Sequence, residues 1–252
     1  MLHERLAGAT ICGGSIIGGR YATHGAPAGW ALLEAAAVAH SRIEGVGCKG
    51  KLLCWKIGEG VFMLSTLGLS GAWTFRKGKH SAIRIDTTHG PVWFTDQLHY
   101  GTISLVGTDT MHKRMRRLGP DVLRSPPPSA AKLRRVFDSR PEWTLPRLLM
   151  DQSKVSGIGN YLKAEVLYAA KVSPTRTTGS LTDDEFRRVY ICIIIIPRMD
   201  LYKRGLQLED VSFPWSFRMQ VYGKKYDPVG NAVVRLKTDD KRTTYWAPQI
   251  QV

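Results

Sequence analysis

The stretch DQSKVSGIGNYLKAEVLYAA, Asp151 to Ala170, combines residue types that could bind an anion. Gly157 and Gly159 would allow the main chain to turn sharply and to approach a ligand closely. Asn160 is a candidate cap for the amphipathic helix predicted after it, and the N–H groups at a helix start attract anions. Lys154 adds a mobile positive charge. By itself the stretch fits a backbone-built phosphate site and a plain loop between two packed helices equally well.

The charge of the whole chain favours a polyanionic partner. Its 252 residues include 36 Lys and Arg against 21 Asp and Glu, which gives a formal net charge of +15. Such a field favours nucleic acid first and an anionic membrane surface second. The cysteines include no CxxC pair, which argues against both a zinc finger and a disulfide framework and indicates a reducing compartment. We therefore expect no metal and no cofactor.

The sequence gives no sign of a membrane segment. The amino terminus, MLHERLAG, has no hydrophobic signal core. The apolar run YICIIIIP is far shorter than the ~20 residues that span a bilayer. We expect a soluble intracellular protein with no membrane partner.

Patterns along the chain predict a β domain followed by a helical one. From Ala9 to Asp109, short apolar runs alternate with glycines and charged turns, which is typical of a β-sandwich or barrel. The prolines of RSPPPSAAK, residues 124–132, suit a stiff connector because proline continues neither a helix nor a central strand. Helices are predicted beyond it, and Pro197 is expected to end or kink the last of them.

Caps and turns mark the expected element boundaries in this second half. Ser129, Thr144 and Thr182 are candidate N-caps for three helices. After Phe213, the turn signals DPVGN and TDDK predict a β-hairpin. The fold class expected from the residues is thus a multidomain α and β protein.

The segment 148–174 closely resembles the helix–two-turn–helix (H2TH) motif of the formamidopyrimidine-DNA glycosylase/endonuclease VIII (Fpg/Nei) family. Other segments resemble the family in chain order: CKGKLLCW, with Lys51 in the place of a strand lysine; STLGLSGAW, with Leu69 in the place of a methionine; and RLGPDVL. The residues that match the H2TH pattern are Leu148, Leu149, Asp151, Gln152, Lys154, Gly157, Ile158, Gly159, Asn160, Ala164, Glu165 and Pro174.

The carboxy-terminal hairpin resembles a finger that has lost its zinc site. Family members usually carry a four-cysteine finger whose tip holds an Arg-Thr/Ser-Thr sequence, and Arg242 and Thr243 keep that tip. Apolar residues stand in the places of the cysteines: Val229, Ala232, Ala247 and Ile250. The resemblance is to the zincless finger of the eukaryotic Nei-like branch and its giant-virus relatives. It implies a hairpin held by packing, with Tyr245 and Trp246 among the packed residues.

The resemblance also assigns residues to DNA. It implies that Lys51, Lys154, the turn from Gly157 through Gly159 to Asn160, and Arg242 with Thr243 hold the backbone of double-stranded damaged DNA. The bland alternative for Arg242 is an arginine in a solvated turn. Family enzymes flip the damaged base out of the stack and fill the gap with side chains.

Leu69, Leu98 and Tyr100 occupy the gap-filling places. Leu98 and His99 replace two arginines of the family pattern, and Tyr100 replaces a phenylalanine wedge and can still stack. The arginine expected at Leu98 would contact the base opposite the lesion, and that contact is lost. On sequence grounds alone, Leu69 fits a core position of the β domain equally well.

The catalyst of the family is missing from the start of the chain. The family uses an amino-terminal proline, whose secondary amine attacks the sugar C1′ to form a Schiff base, followed by a glutamate that acts as acid and base. This chain begins Met-Leu-His-Glu, and aligning RLAGATI with the family suggests that ~11 residues, about three helical turns, are absent ahead of it. Three explanations compete: a misplaced start or trimmed chain, a decayed gene or lesion binder, and catalysis by His3 with Glu4 or by Lys51.

The combined expectation is a base-excision-repair DNA glycosylase/AP lyase that acts on oxidised bases and is monomeric. The expected domains are residues 1–123, a catalytic-type β-sandwich; 124–212, a helical H2TH DNA-binding domain; and 213–252, a zincless hairpin. The main alternative is a catalytically inactive damaged-DNA-binding protein, and a remoter one is an H2TH-type RNA-binding protein. The resemblance places the protein in the nucleus or in a viral or host DNA compartment.

Overall fold

A computed structural model describes residues 2–203 and 217–252. The chain divides into two compact units, Met1–Arg117 and Leu118–Val252. The second unit thus begins ahead of the expected boundary at residues 123 and 124. Within the described ranges, no helix is long and apolar enough to cross a membrane.

Two four-stranded antiparallel sheets form the first unit. Its strands are β1 Ile11–Ile16, β2 Ile43–Lys49, β3 Leu52–Ile57, β4 Val61–Thr66, β5 Ala72–Thr74, β6 Ser81–Thr87, β7 Val92–Thr95 and β8 Thr102–Gly107. One sheet has the order β1-β6-β7-β5 and the other β2-β3-β4-β8. Both contribute to one hydrophobic core, in which the ring centroids of Trp55 on β3 and Trp73 on β5 lie 4.7 Å apart. The predicted β-sandwich is confirmed.

Two helices, α2 Gly19–His24 and α3 Trp30–Val38, interrupt residues 9–109, where only strands were expected. Two more lie at the ends of this stretch, α1 Leu2–Leu6 and α4 Thr108–Arg117. Helix α3 buries Leu33 and Ala36 against the sandwich. Its sequence, WALLEAAAV, is rich in alanine and leucine, which have high helix propensity, so a local signal for this helix was present.

Helices form the core of the second unit. They are α5 Ala130–Asp138, α6 Leu145–Met150, α7 Asn160–Ala169 and α8 Asp183–Lys203, with a short 3₁₀ turn at Thr178–Ser180. The Ser129 and Thr144 hydroxyls accept from the N–H groups of Lys132 and Arg147, as predicted. Thr182 and Glu185 form a reciprocal capping box at the start of α8, which confirms the third predicted cap.

The prediction that Pro197 ends or kinks the last helix is wrong in its first part, because α8 continues through Pro197 to Lys203. Ile193 and Ile196 from the β-branched run before it are buried in the core of the unit. Apolar burial therefore outweighs both the poor helix propensity of isoleucine and the N–H that proline lacks.

A two-stranded hairpin follows, formed by β9 Val234–Lys237 and β10 Thr243–Trp246. Its turn is TDDK, residues 238–241, as predicted. The second predicted turn, DPVGN, is also present, because the Asp227 carboxylate accepts from the N–H groups of Val229 and Asn231. Residues 213–216 of the expected hairpin domain lie outside the described residues.

Candidate nucleic-acid interface

The side chain of Gln152 bridges the glycine turn between α6 and α7. Gly157 has φ +108°, a conformation that favours glycine. Its N–H donates to Oε1 of Gln152 at 3.1 Å, and Nε2 of Gln152 donates to the carbonyl of Ile158 at 3.0 Å. The Gln152 amide thus holds the chain immediately before α7.

The prediction that Asn160 caps α7 is wrong. Gly159 holds the N-cap position, and Asn160 is the first residue of the helix. Its Nδ2 instead donates to the carbonyl of Thr243 at 3.2 Å. The asparagine thereby joins the start of α7 to the hairpin, which a cap assigned from local sequence could not show.

A buried ion pair makes a second connection between α7 and the hairpin turn. Nζ of Lys163 lies 2.7 Å from Oδ2 of Asp240, and the two side chains are only 0% and 4% exposed. The hydroxyl of Thr144, the cap of α6, also donates to Asp239 in the same turn. Sequence reasoning missed Lys163, because the spacing of a helical lysine does not indicate whether it is buried.

These connections bring the predicted phosphate-binding residues of the second unit together. Arg242 is exposed directly after the hairpin turn, and Thr243 is half-buried beside Asn160. Lys154, Gly157 and Gly159 lie in the turn that leads into the same helix. A guanidinium, an ammonium and the N–H groups of a helix start are the donors that bind a phosphate oxygen.

Trp143 is a member of this surface that the sequence analysis missed. The Arg147 guanidinium lies 4.1 Å from its ring centroid, and that of Arg140 lies 5.5 Å away. Nζ of Lys154 lies 5.9 Å from the same ring. The aromatic face therefore gathers three cations, which extends the positive surface beside the glycine turn. Basic residues three before and four after a tryptophan were the available signal.

Two loops of the first unit expose the three predicted gap-filling residues. Leu69, Leu98 and Tyr100 are 76%, 49% and 64% exposed, which excludes the core alternative for Leu69. The hydroxyl of Ser70 donates to Oδ1 of Asp96 at 2.6 Å and accepts from the N–H of Leu98 at 2.9 Å. These bonds hold together the two loops that carry the three exposed residues.

Lys51 lies in the turn between β2 and β3 and is exposed. It follows Gly50, whose φ of +55° allows the turn to be tight. The other candidate, His3, lies on α1, and its Nδ1 accepts from the N–H of Val46 at 3.1 Å. That bond gives His3 a structural role in attaching α1 to β2.

Hydrogen bonds and aromatic contacts hold the hairpin region. Asp227 accepts from Nδ2 of Asn231 at 2.9 Å and from the hydroxyl of Tyr168 at 3.2 Å. Burial, together with the Asp227 carboxylate, raises the pKa of Tyr168 to about 12, so the phenol remains a donor. Tyr245 packs on Tyr222 with ring centroids 5.0 Å apart. In the described part of the chain, no group of three or more His, Cys, Asp or Glu could hold a metal.

Comparison with known proteins matches the whole second unit. The family model described as the formamidopyrimidine-DNA glycosylase H2TH domain matches residues 118–206, and that of the formamidopyrimidine-DNA glycosylase C-terminal domain matches residues 207–252. The chain belongs to the Fpg/Nei family. The H2TH domain of this family member begins at Leu118, the residue at which the second compact unit begins.

Relatives in both branches of the Fpg/Nei family are similar to this chain. Formamidopyrimidine-DNA glycosylase of Desulfitobacterium hafniense is 27% identical over 232 residues, which cover 86% of this chain and 84% of that protein. Endonuclease 8 of Pectobacterium atrosepticum is 29% identical over 148 residues, which cover 57% of this chain and 56% of that protein.

The fold is also that of solved Fpg/Nei structures. Lactococcus lactis formamidopyrimidine-DNA glycosylase, solved non-covalently bound to DNA that contains an AP site, has a TM-score of 0.81 at 22% identity. The match covers 99% of this chain and 95% of that one. The likeness therefore includes the sandwich unit as well as the H2TH unit.

Proposed function

We propose that this Fpg/Nei member binds double-stranded damaged DNA as an intracellular monomer, and that it acts as a DNA glycosylase/AP lyase on oxidised bases. The observation that carries the proposal is the connection of the glycine turn to the hairpin tip, by Asn160 with Thr243 and by Lys163 with Asp240. Because of it, Arg242 and the start of α7 present their donors side by side. Backbone contacts of this kind position a protein on DNA.

Leu69, Leu98 and Tyr100 supply the second part of the proposed mechanism. A base removed from the stack leaves a gap, and an apolar or aromatic side chain that enters it stabilises the extruded state. Exposed apolar residues on a fixed loop are suited to this, since they lose little conformational freedom on binding. The absence of an arginine at Leu98 leaves the base opposite the lesion without a charged reader from that position.

The chemical step proposed for the glycosylase is the attack of an amine on C1′ of the damaged nucleotide. The nitrogen–C1′ bond forms while the glycosidic bond breaks, and the base leaves with a proton from an acid group. The amine then loses a proton and O4′ gains one as the C1′–O4′ bond breaks, which opens the ring to an imine, and loss of a C2′ proton expels the 3′ phosphate by β-elimination. A proline amine followed by a glutamate would serve as nucleophile and acid/base; Lys51 is the candidate amine among the described residues.

The leading alternative is a protein that binds damaged DNA without catalysis. It is favoured by the hydrogen bond that Nδ1 of His3 accepts from the N–H of Val46, because this bond gives the imidazole a structural role. The two functions share the same DNA-binding residues. They differ only in whether an amine of this chain reacts with the sugar.

Borohydride trapping separates the two functions. The chain is incubated with duplex DNA that holds an abasic site, sodium borohydride is added, and a covalent band is sought by gel. A band that Lys51→Met abolishes and the control Lys77→Met keeps would assign the imine to Lys51. A protein that binds the DNA but gives no covalent band is a damaged-DNA-binding protein without catalysis. A Pro-Glu segment is then added ahead of Met1 to test whether the covalent band appears. A chain that does not bind damaged DNA would overturn the proposal.

We also propose that the hairpin is a zincless finger. Apolar residues stand in the cysteine places, and one of them, Val229, is 77% exposed. The hydrogen bonds of Asp227 and the packing of Tyr245 hold the segment instead. Excess chelator should therefore leave the melting temperature and DNA affinity unchanged, whereas a metal-held finger would unfold. A fall in either quantity would contradict the zincless assignment.

A further inference from the structure

Helix α4 exposes a basic face that the proposed lesion site does not use. Its sequence, TDTMHKRMRR, holds five basic residues and a single acid. Met111 and Met115 pack inward, against the cluster around Phe62. The remaining cations face solvent, and two of them lie three and four residues after a third, so that each is its neighbour on the helix surface. These three residues, the α4 basic face, are Lys113, Arg116 and Arg117.

The charges of the α4 basic face are not compensated within the described ranges. Across residues 2–203 and 217–252, none of its three side chains forms an ion pair, whereas Arg134 on α5 pairs with Asp138 and Asp183 at 2.9 and 2.8 Å. Like charges at this spacing repel one another. The helix dipole accounts for a cation in the last turn, but not for Lys113, which precedes it.

A hydrogen bond continues this face toward Lys51. Nζ of Lys49 donates to the carbonyl of Met115 at 2.9 Å, which ties the end of α4 to the turn between β2 and β3. Lys51 lies in that turn, two residues after Lys49. The basic surface therefore extends from the proposed phosphate contact at Lys51 along α4.

We propose that the α4 basic face binds the phosphate backbone of duplex DNA that flanks the lesion. The proposal rests on the proposed function, because it adds backbone contacts to the same bound DNA. Four helical residues advance about 6 Å, so each of the three cations can reach a different phosphate. A membrane surface fits less well, since the apolar residues of α4 face inward and an interfacial helix needs them outward.

The test is the salt dependence of binding to intact and abasic duplexes of the same sequence. The α4 variant is Lys113→Gln with Arg116→Gln and Arg117→Gln. The control removes the same charge from exposed helical positions of the second unit: Lys132→Gln, Arg135→Gln and Arg187→Gln. All six positions are exposed, and circular dichroism is expected to show both variants folded.

The α4 variant should show a slope of log K against log salt that is shallower by about 2–3, at about 0.9 per phosphate contact. Its gain in affinity between about 200 and about 50 mM salt is then about 40-fold smaller than that of the wild type. The loss is equal on both duplexes, because backbone contacts carry no information on the base. The single variant Arg116→Gln should shift the slope by about 0.9.

Equal slopes for the α4 variant and the control would overturn the proposal. Failure of the proposed function has a different signature, in which the wild type binds both duplexes with the same affinity. A slope difference between the two variants would then still support the α4 contact. A wild type that binds neither duplex would remove both.

Discussion

At the scale of single residues, the proposed phosphate site depends on side chains that are exposed but whose neighbours are fixed. Arg242 follows a turn that is held by the buried Lys163–Asp240 pair. Its guanidinium is therefore presented from a rigid base, which reduces the conformational freedom lost on binding. The same holds for Leu69, whose loop is bonded to the 96–101 loop through Ser70.

Arg242→Ala should lower affinity for abasic duplex DNA by about 10- to 100-fold, since a hydrogen bond to a charged group contributes about 1.5–3 kcal/mol. The affinity of Arg242→Lys should lie between those of the wild type and Arg242→Ala, because lysine keeps the charge but cannot form the bidentate hydrogen bonds of a guanidinium. Fluorescence anisotropy measures the affinities. The control is Lys241→Ala, which removes an equal charge one residue earlier. If both alanine variants lose affinity equally, general charge and not a specific grip explains the binding.

Leu69→Ala should change the free energy of unfolding by less than about 0.5 kcal/mol, as expected for an exposed side chain. It should nevertheless reduce the preference for abasic over intact duplex, because the gap left by the missing base would no longer be filled. Val38→Ala removes another exposed aliphatic side chain of the same unit and serves as the control. An unchanged preference in Leu69→Ala would exclude Leu69 as a gap filler.

At the scale of elements, the relation between α7 and the hairpin turn decides the geometry of the site. Lys163→Met should destabilise the protein by about 3–5 kcal/mol, because it leaves the Asp240 carboxylate buried without its partner. Lys56→Met, which breaks the exposed pair with Glu44, should cost no more than about 1 kcal/mol. Chemical denaturation measures both. Similar losses in the two variants would mean that the Lys163–Asp240 pair does not anchor the hairpin.

The pH dependence of stability checks the same pair. Burial by itself would raise the pKa of Asp240, but the hydrogen bonds from Lys163 and Thr238 have the larger combined effect and hold this pKa below its ordinary value of 3.8. A carboxyl with a depressed folded-state pKa stabilises the fold above the unfolded value and loses this contribution as pH falls through the folded one. Below pH ~4, the wild type should therefore lose stability relative to Asp240→Asn. Parallel pH profiles would count against a charged Asp240.

At the scale of the whole molecule, the two units hold different parts of the proposed mechanism. The second unit contains its own hydrophobic core and the residues proposed to bind phosphate. The first unit carries Leu69, Leu98 and Tyr100, the exposed residues proposed to fill the gap.

The fragment 118–252 should therefore unfold cooperatively and bind duplex DNA, yet bind intact and abasic duplexes with nearly equal affinity. Thermal unfolding and anisotropy titrations measure these properties, with the full chain as the reference. A fragment that keeps the discrimination of the full chain would place lesion recognition in the second unit and contradict the role proposed for the loops of the first.

Features that depend on local chemistry and on motif could be predicted from the amino-acid sequence alone. Caps at Ser129, Thr144 and Thr182 follow from side-chain oxygens next to helix starts, and alternating apolar runs indicated the sandwich. The H2TH pattern indicated the family because it is long. These signals are legible because each depends on residues close together in the chain.

Only the tertiary structure shows which polar residues of α7 contact the hairpin. Asn160 stands where a helix cap is expected, but its side chain donates to the carbonyl of Thr243. Lys163 gives no sequence signal of burial, but it is buried in an ion pair with Asp240. Pro197 was predicted to end a helix, but α8 continues past it because its buried isoleucines stabilise the helix. In each case, contacts with residues that are distant in the chain outweigh a local conformational preference, because such contacts contribute more free energy than propensity does.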